Sequence, residues 1–113
     1  MSRDPQLYLE DIAEAASAVS RYVQGVSRDE LEANDEKQAA LERQLFIIGE
    51  AVAQFPAEVT SRRPDIPWRR IVGLRNILAH GYWRIDLDEL WDVVTTKVCP
   101  LSEAVRELLR VQS

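Results

Sequence analysis

The chain has one cysteine and one histidine among its 113 residues, and it contains only four glycines and five prolines. Cys99 has no partner for an internal disulfide, and a lone cysteine with a lone histidine argues against a zinc site. A reducing, cytoplasmic setting fits this cysteine usage best. No run approaches the roughly 20 apolar residues that cross a bilayer, and the polar residues 1–5 do not resemble a secretory signal. We therefore expect a cytoplasmic protein without a cofactor, a metal ion or a membrane anchor.

Length and composition predict one domain over residues 1–113. Charged residues make up 29% and apolar residues 46% of the chain, an ordinary balance for a soluble domain. Strand-like alternation is absent, and glycine and proline fall between segments with apolar residues every three or four positions. We expect an all-α helical bundle of about four to five helices, with long antiparallel helices. Bundles with such long apolar stripes often pair, so we also expect a homodimer.

Capping residues and apolar stripes locate the first half of the bundle. The first helix is predicted from about Pro5 to Gln24, with Asp4 as its N-cap and Gly25 as its stop. Its buried stripe comprises Tyr8, Ile12, Ala15, Val19, Tyr22 and Val26. A Ser27-x-x-Glu30 capping box starts a short helical turn. A second long helix is predicted from about Asp35 to Gln54. Its buried stripe comprises Leu41, Leu45, Ile48, Val52 and Phe55.

Glycine and proline positions add detail to the second half. Gly49 lies in the middle of the second long helix, which costs roughly 1 kcal/mol relative to alanine, and close approach of another helix would explain it. A short piece follows from Ala57 to Arg63. The next helix begins near Pro67 and ends near Gly81, burying Trp68, Ile71, Leu74 and Leu78. Asp86 or Asp88 caps the last helix, which we expect to kink or break after Cys99 because of Pro100. The stripe of that helix comprises Leu87, Leu90, Trp91, Val94, Val98, Leu101, Val105 and Leu108.

Charge is distributed unevenly along the chain. The net charge is −5, which by itself disfavours a nucleic-acid partner. Residues 56–85, however, contain six arginines and two acidic residues, so this segment carries +4 and the remainder −9. A solvated arginine-rich face and a phosphate-binding surface account for this segment equally well.

The basic segment also contains the only histidine, in the sequence Arg-Asn-Ile-Leu-Ala-His-Gly-Tyr at residues 75–82. An imidazole exchanges protons near neutral pH, and a guanidinium binds phosphate through two parallel donors. Asn76 and His80 share one helix face, whereas Arg75 and His80 lie roughly 140° apart on an ideal helix. Arg75 and His80 therefore converge only if the helix ends near Ala79, or if a second subunit completes the site.

This constellation suits cleavage of RNA without a metal ion. The 2′-hydroxyl must lose a proton, the leaving 5′-oxygen must gain one, and charge on phosphorus must be stabilised. His80 suits either proton transfer and Arg75 the stabilisation, with Asn76 orienting His80. One histidine cannot be acid and base at once, which favours a symmetric pair of sites in a dimer. Arg69, Arg70 and Arg84 are candidate contacts to the RNA.

Each of these residues also has a purely structural interpretation. A lone histidine near a helix end is often a capping or surface residue, and Arg75 could simply pair with an acid such as Glu50 or Asp86. Tyr82 and Trp83 are typical of core or interface aromatics. Glu50 itself is either an exposed acid or a partner of the site.

Several segments together resemble the HepT-like toxins, a branch of the HEPN ribonucleases. The Arg75-x4-His80-x-Tyr82 element is similar to the signature of that family. The likeness extends to residues 47–51, 64–71 and 85–91, and it covers about residues 5–110. The Arg-x4-His element alone would be weakly specific, but the full set of segments is specific.

The resemblance implies a metal-independent endoribonuclease that acts as a toxin, with Arg75 and His80 as the catalytic pair and Asn76 between them. It implies a dimer whose two motifs face one cleft, and a minimal nucleotidyltransferase antitoxin that attaches AMP to Tyr82. Two alternatives remain open. One is a non-catalytic dimeric partner of a nucleotidyltransferase, and the other is a small-nucleotide-binding module in which Arg75 holds phosphate.

Overall fold

The computed structural model describes residues 4–80 and 85–112. Within these ranges the chain is helical and contains no strand, which confirms the all-α prediction. The four longest helices have 12 to 19 residues and are linked by three short helices and one π-helical turn, Val93–Lys97. In chain order the α-helices are α1 (Pro5–Val23), α2 (Arg28–Glu32), α3 (Asp35–Ala53), α4 (Ala57–Thr60), α5 (Trp68–Ala79), α6 (Leu87–Asp92) and α7 (Val98–Gln112).

The starts of α1 and α2 are fixed by the caps that the sequence predicts. The Asp4 side chain accepts a hydrogen bond of 2.9 Å from the Gln6 backbone N–H at the start of α1. Ser27 and Glu30 form the reciprocal capping box of α2, and the Ser27 backbone N–H lowers the pKa of the Glu30 carboxyl. Gly25 has a φ of 73°, a left-handed conformation that favours glycine, so the chain can leave α1 sharply.

The long helices pack in the order α5, α3, α1, α7. Helix α1 packs against both α3 and α7, whereas α5 packs chiefly against α3. Phe55 meets Trp68 with ring centroids 5.7 Å apart, and Gly49 lies against Arg75, so α3 and α5 run antiparallel. The predicted stripes of α1 and α3 face the core, whose fully buried large side chains include Leu9, Ile12, Val19, Leu31, Leu41 and Val105.

Helix α5 is more exposed than the sequence predicts. Its apolar residues Trp68, Ile71, Leu74 and Leu78 are only half-buried, and none of its residues is fully buried. The reason is its position at one edge of the layer, where only one side of the helix faces α3. The opposite side leaves Ile77 45% exposed.

Pro100 does not break the last helix, contrary to the prediction. Helix α7 continues through Cys99 and Pro100, and the departure from α-helical geometry lies before the proline, at the π-helical turn. There the Val98 N–H donates to the Val93 carbonyl, five residues back. In an α-helix a proline ring clashes with the carbonyl four residues before it. The wider π-helical turn provides room near that carbonyl, so the helix can continue through Pro100. Asp86, one of the two proposed residues, caps α6 by accepting from the Asp88 N–H at 2.8 Å.

None of the helices in the described part of the chain is long and apolar enough to cross a membrane.

Candidate active site

Arg75 lies at a close approach between α5 and α3. The opposing residue is Gly49, which is buried, and a Cβ atom added at position 49 would overlap the Arg75 Cβ and lie 2.9 Å from its Cγ. Real Cβ atoms do not tolerate such contacts, so the missing side chain lets the two backbones meet. The close approach predicted from Gly49 is therefore confirmed, and it places the candidate catalytic arginine at the contact.

Gly49→Ala is expected to destabilise the fold by about 1–3 kcal/mol, because the methyl group must push α5 away from α3. Gly73 provides a matched control, since it lies within α5 and a Cβ atom there would meet nothing within 4 Å. Gly73→Ala should raise stability by about 0.5–1 kcal/mol through helix propensity. Urea denaturation of both variants at one protein concentration measures these changes. Equal effects of the two substitutions would contradict the close approach at Gly49.

Arg75 is held by Glu50, one of the two acids that the sequence left open as partners. Its Nη1 lies 2.8 Å from the Glu50 Oε1, while the two side chains are 26% and 47% exposed. The Arg75 Nε is buried and has no hydrogen-bond partner in the part of the chain that the structure describes. The ion pair with Glu50 therefore positions the guanidinium, and the unpaired buried Nε costs about 1–3 kcal/mol.

His80 is exposed at the end of the same helix. Helix α5 ends at Ala79, as convergence with Arg75 requires, but His80 itself keeps helical backbone angles (φ −79°, ψ −11°). The offset of roughly 140° from Arg75 therefore persists within one chain. Asn76, four residues before His80, is exposed as well and shares its face. A single chain thus turns Arg75 toward α3 and presents Asn76 and His80 to solvent.

Among the described residues, the basic side chains of α5 are spread along the helix, at Arg69, Arg70 and Arg75. Arg69 and Arg70 are exposed in the first turn of α5, roughly 15 Å along the helix axis from His80. Arg63 has a structural role, because it bonds Asp65 at 2.8 and 2.9 Å and Glu107 at 2.9 Å. Its hydrogen bond to Asp65 raises the pKa of Arg63 and lowers the pKa of Asp65. Tyr82 and Arg84 lie outside the described residues.

A groove of about 420 Å³ between α1 and α3 is a feature that the sequence reasoning missed. It lies beside Glu50 and is therefore adjacent to Arg75. A sequence pattern that could have predicted this groove is a second set of residues on α3, at positions 43, 46, 47, 50 and 54. These positions share one face of the helix, because they recur at the same three- and four-residue spacing as the buried stripe. Its main lining residues are Tyr8 and Asp11 of α1 and Arg43, Phe46, Glu50 and Gln54 of α3.

Comparison with known proteins identifies the family of this helical bundle. Residues 12–108 match the model of the family described as "Ribonuclease HepT-like", and the chain belongs to this family. Its relatives include "Putative RNase MJ1380" of Methanocaldococcus jannaschii, which is 36% identical over 91% of this chain and 94% of the relative. "Probable ribonuclease HepT" of Thermococcus cleftensis is 32% identical over 96% of this chain and 98% of the relative. No solved structure matches the chain significantly. The resemblance seen in the sequence is thus confirmed at the level of the family.

Proposed function

We propose that this protein is a metal-independent endoribonuclease that acts as the toxin of a toxin–antitoxin pair. The observation that carries the proposal is the Arg75-x4-His80 element at the end of α5 in a chain of the ribonuclease HepT-like family. The names of its relatives, which refer to RNases, agree with RNA as the substrate. His80 transfers protons, Arg75 stabilises the charge that develops on the phosphate, and Asn76 orients the imidazole.

The structure supports this division of roles through what each side chain is free to do. His80 is exposed, so RNA can reach the imidazole, whereas Arg75 is anchored by Glu50 and thus preorganised. Arg69 and Arg70 bind more distant phosphates of the same strand, and Arg84 is a further contact to the RNA in this proposal. DNA is not cut in this way, because it lacks the 2′-hydroxyl that attacks the phosphorus.

The test is incubation of unmodified protein, verified by intact mass, with end-labelled RNA in the presence of EDTA. We expect RNA fragments with cyclic-phosphate ends and no cleavage of DNA of the same sequence. Cleavage that stops in EDTA and returns with a divalent metal ion would contradict metal independence. A protein that binds nucleotidyltransferase tightly but cuts no member of a broad RNA pool would instead be the non-catalytic partner.

The active unit in this proposal is a homodimer in which each site combines Arg75 of one subunit with His80 of the other. Two features support it: the offset between Arg75 and His80 within one chain, and the exposed Ile77 on the side of α5 that faces away from α3. A second copy packed on α5 would cover this side and supply the missing group. Two copies related by a two-fold axis would form two such shared sites, each with Arg75 of one subunit and His80 of the other.

Mixing two inactive variants tests this arrangement. Arg75→Ala and His80→Ala, refolded together in equal amounts, form heterodimers in which one of the two shared sites is intact. The mixture should regain about a quarter of wild-type cleavage, because half of the dimers are mixed and each has one intact site. Analytical ultracentrifugation verifies the dimer. A dimeric mixture without any regained cleavage would place both residues of a site in one chain.

Neutralisation by a minimal nucleotidyltransferase is the remaining part of the proposal. Attachment of AMP to Tyr82, two residues after His80, would add bulk and negative charge beside the phosphate-binding cleft and thereby repel RNA. Incubation with the partner and ATP should add AMP to the wild type and abolish cleavage, whereas Tyr82→Phe should keep its mass and its activity. Modification of Tyr82→Phe would show that another residue accepts the AMP group.

A further inference from the structure

The groove between α1 and α3 has the composition of a nucleobase site. The Arg43 guanidinium lies over the face of the Phe46 ring, with its Cζ 5.8 Å from the ring centroid. A base can extend this stack, because guanidinium planes and aromatic rings are both surfaces on which bases stack. Tyr8 adds a second aromatic ring to the lining. The volume of about 420 Å³ lies within the range of small-molecule sites and accommodates a base with its ribose.

The charges in the groove favour a base over a phosphate. Two carboxylates, Asp11 and Glu50, and one guanidinium, Arg43, line it. Among the described residues, Glu50 makes one side-chain hydrogen bond, in which Oε1 accepts from Arg75. The Glu50 Oε2 therefore remains available as an acceptor. Carboxylate oxygens accept from the exocyclic amino groups of adenine, cytosine and guanine, which uracil lacks.

The groove also lies where it can hold a nucleotide close to the proposed chemistry. Glu50 lines the groove and binds Arg75 at 2.8 Å. Arg75 is the residue that the proposed function places at the cleaved phosphate. The groove therefore lies next to that phosphate through Glu50, which the groove and the ion pair share.

We propose that this groove binds one nucleobase of a single-stranded RNA substrate, a base with an exocyclic amino group, next to the phosphate that is cleaved. The inference rests on the proposed ribonuclease function and deepens it, because it assigns to the α1–α3 groove the choice of cleavage site. Phe46 and Arg43 stack the base, and the Glu50 Oε2 accepts from its amino group.

The test uses fluorescein-labelled octaribonucleotides, one of uridine only and others with a single adenosine, cytidine or guanosine. Binding is measured by anisotropy in a His80→Ala background, so that the RNA stays intact, and cleavage is measured in the wild-type background. Phe46→Leu keeps an apolar side chain but removes the ring face. Arg43→Gln removes a cation from the groove, and Arg21→Gln is its matched control, since Arg21 is an exposed cation near the other end of α1.

We expect Phe46→Leu to weaken binding of the preferred octamer by about tenfold to a hundredfold, which corresponds to the loss of one base–aromatic stack. Arg43→Gln should weaken it in the same direction, and both variants should raise KM far more than they lower kcat. Arg21→Gln should change binding by less than about twofold, because a distant exposed charge is screened by salt. Uridine-only RNA should bind weakly to all of these proteins.

Three results would overturn the proposal. The first is that Phe46→Leu and Arg43→Gln bind and cleave every octamer as well as Arg21→Gln does. The second is that uridine-only RNA binds as tightly as the other octamers. The third is free AMP that binds more tightly than the octamers and depends on Phe46, which would assign the groove to a free nucleotide. Thermal unfolding of Phe46→Leu separates loss of the stack from loss of the fold, and exposed Arg43 provides an independent variant. If the wild type bound bases selectively but cleaved no RNA, the proposed ribonuclease function would be wrong and the base site would stand. If the wild type cleaved RNA and the groove substitutions had no effect, the base site would be wrong and the ribonuclease function would stand.

Discussion

Replacing His80 with alanine is expected to lower the rate of RNA cleavage by a factor of about 10² to 10⁴, the usual contribution of a positioned general acid or base. The fold should remain intact, because His80 is exposed and follows the last residue of α5. A surface substitution of this kind changes stability by about 0.5 kcal/mol or less. The measurements are single-turnover cleavage in EDTA and urea denaturation.

His80→Gln is the informative companion to this variant. A glutamine side chain can still donate and accept hydrogen bonds, but it cannot transfer a proton near neutral pH. If His80 is an acid or a base, His80→Gln should be nearly as inactive as His80→Ala. Substantial activity in the glutamine variant would instead assign His80 a binding role, as in the nucleotide-binding alternative. A large loss of stability in either variant would mean that His80 supports the fold.

Leu45→Ala is expected to lower the free energy of unfolding by about 2–5 kcal/mol, the range for truncating a buried leucine. Leu45 is 5% exposed on the core side of α3, so the substitution removes apolar contacts and leaves a cavity. Leu7→Ala is the same substitution at a side chain that is 42% exposed on α1. It should cost well under 1 kcal/mol.

Urea denaturation of the two leucine variants compares their midpoints at an unchanged slope. The comparison matters for the active site, because the burial of Leu45 fixes how α3 is rotated about its own axis and therefore which residues of α3 face α5 and the groove. Leu45 buried in the core places Gly49 toward α5 and Phe46 in the α1–α3 groove. A change below 1 kcal/mol for Leu45→Ala would mean that this orientation of α3 is wrong.

Local features of the sequence predicted the helices well. Asp4, the capping box of Ser27 and Glu30, and Asp86 act through hydrogen bonds to residues within three positions, so their effect can be read from the chain itself. The buried stripes of α1 and α3 follow from the helical period in the same way. The family resemblance rests on residues at fixed spacings, and residues 12–108 confirm it.

Two sequence-based expectations failed because packing and neighbouring backbone decided the outcome. Pro100 has a strong intrinsic tendency to break a helix, but the π-helical turn before it lets the helix continue. The apolar stripe of α5 predicted burial, but α5 lies at the edge of the layer and is covered on one side only. The number of neighbours around a helix is a property of the assembled bundle and does not appear in the stripe.

The sequence by itself determined the positions of the long helices, the caps of α1, α2 and α6, the family, and the candidate residues Arg75, Asn76 and His80. Tertiary structure decided that Arg75 pairs with Glu50, and that Gly49 lets α5 approach closely enough for this pair to form. It also decided that a groove with an aromatic surface lies beside that pair. The physical reason is range: caps and periodicity act over a few residues, whereas the pair joins positions 25 residues apart that meet only when α3 and α5 pack.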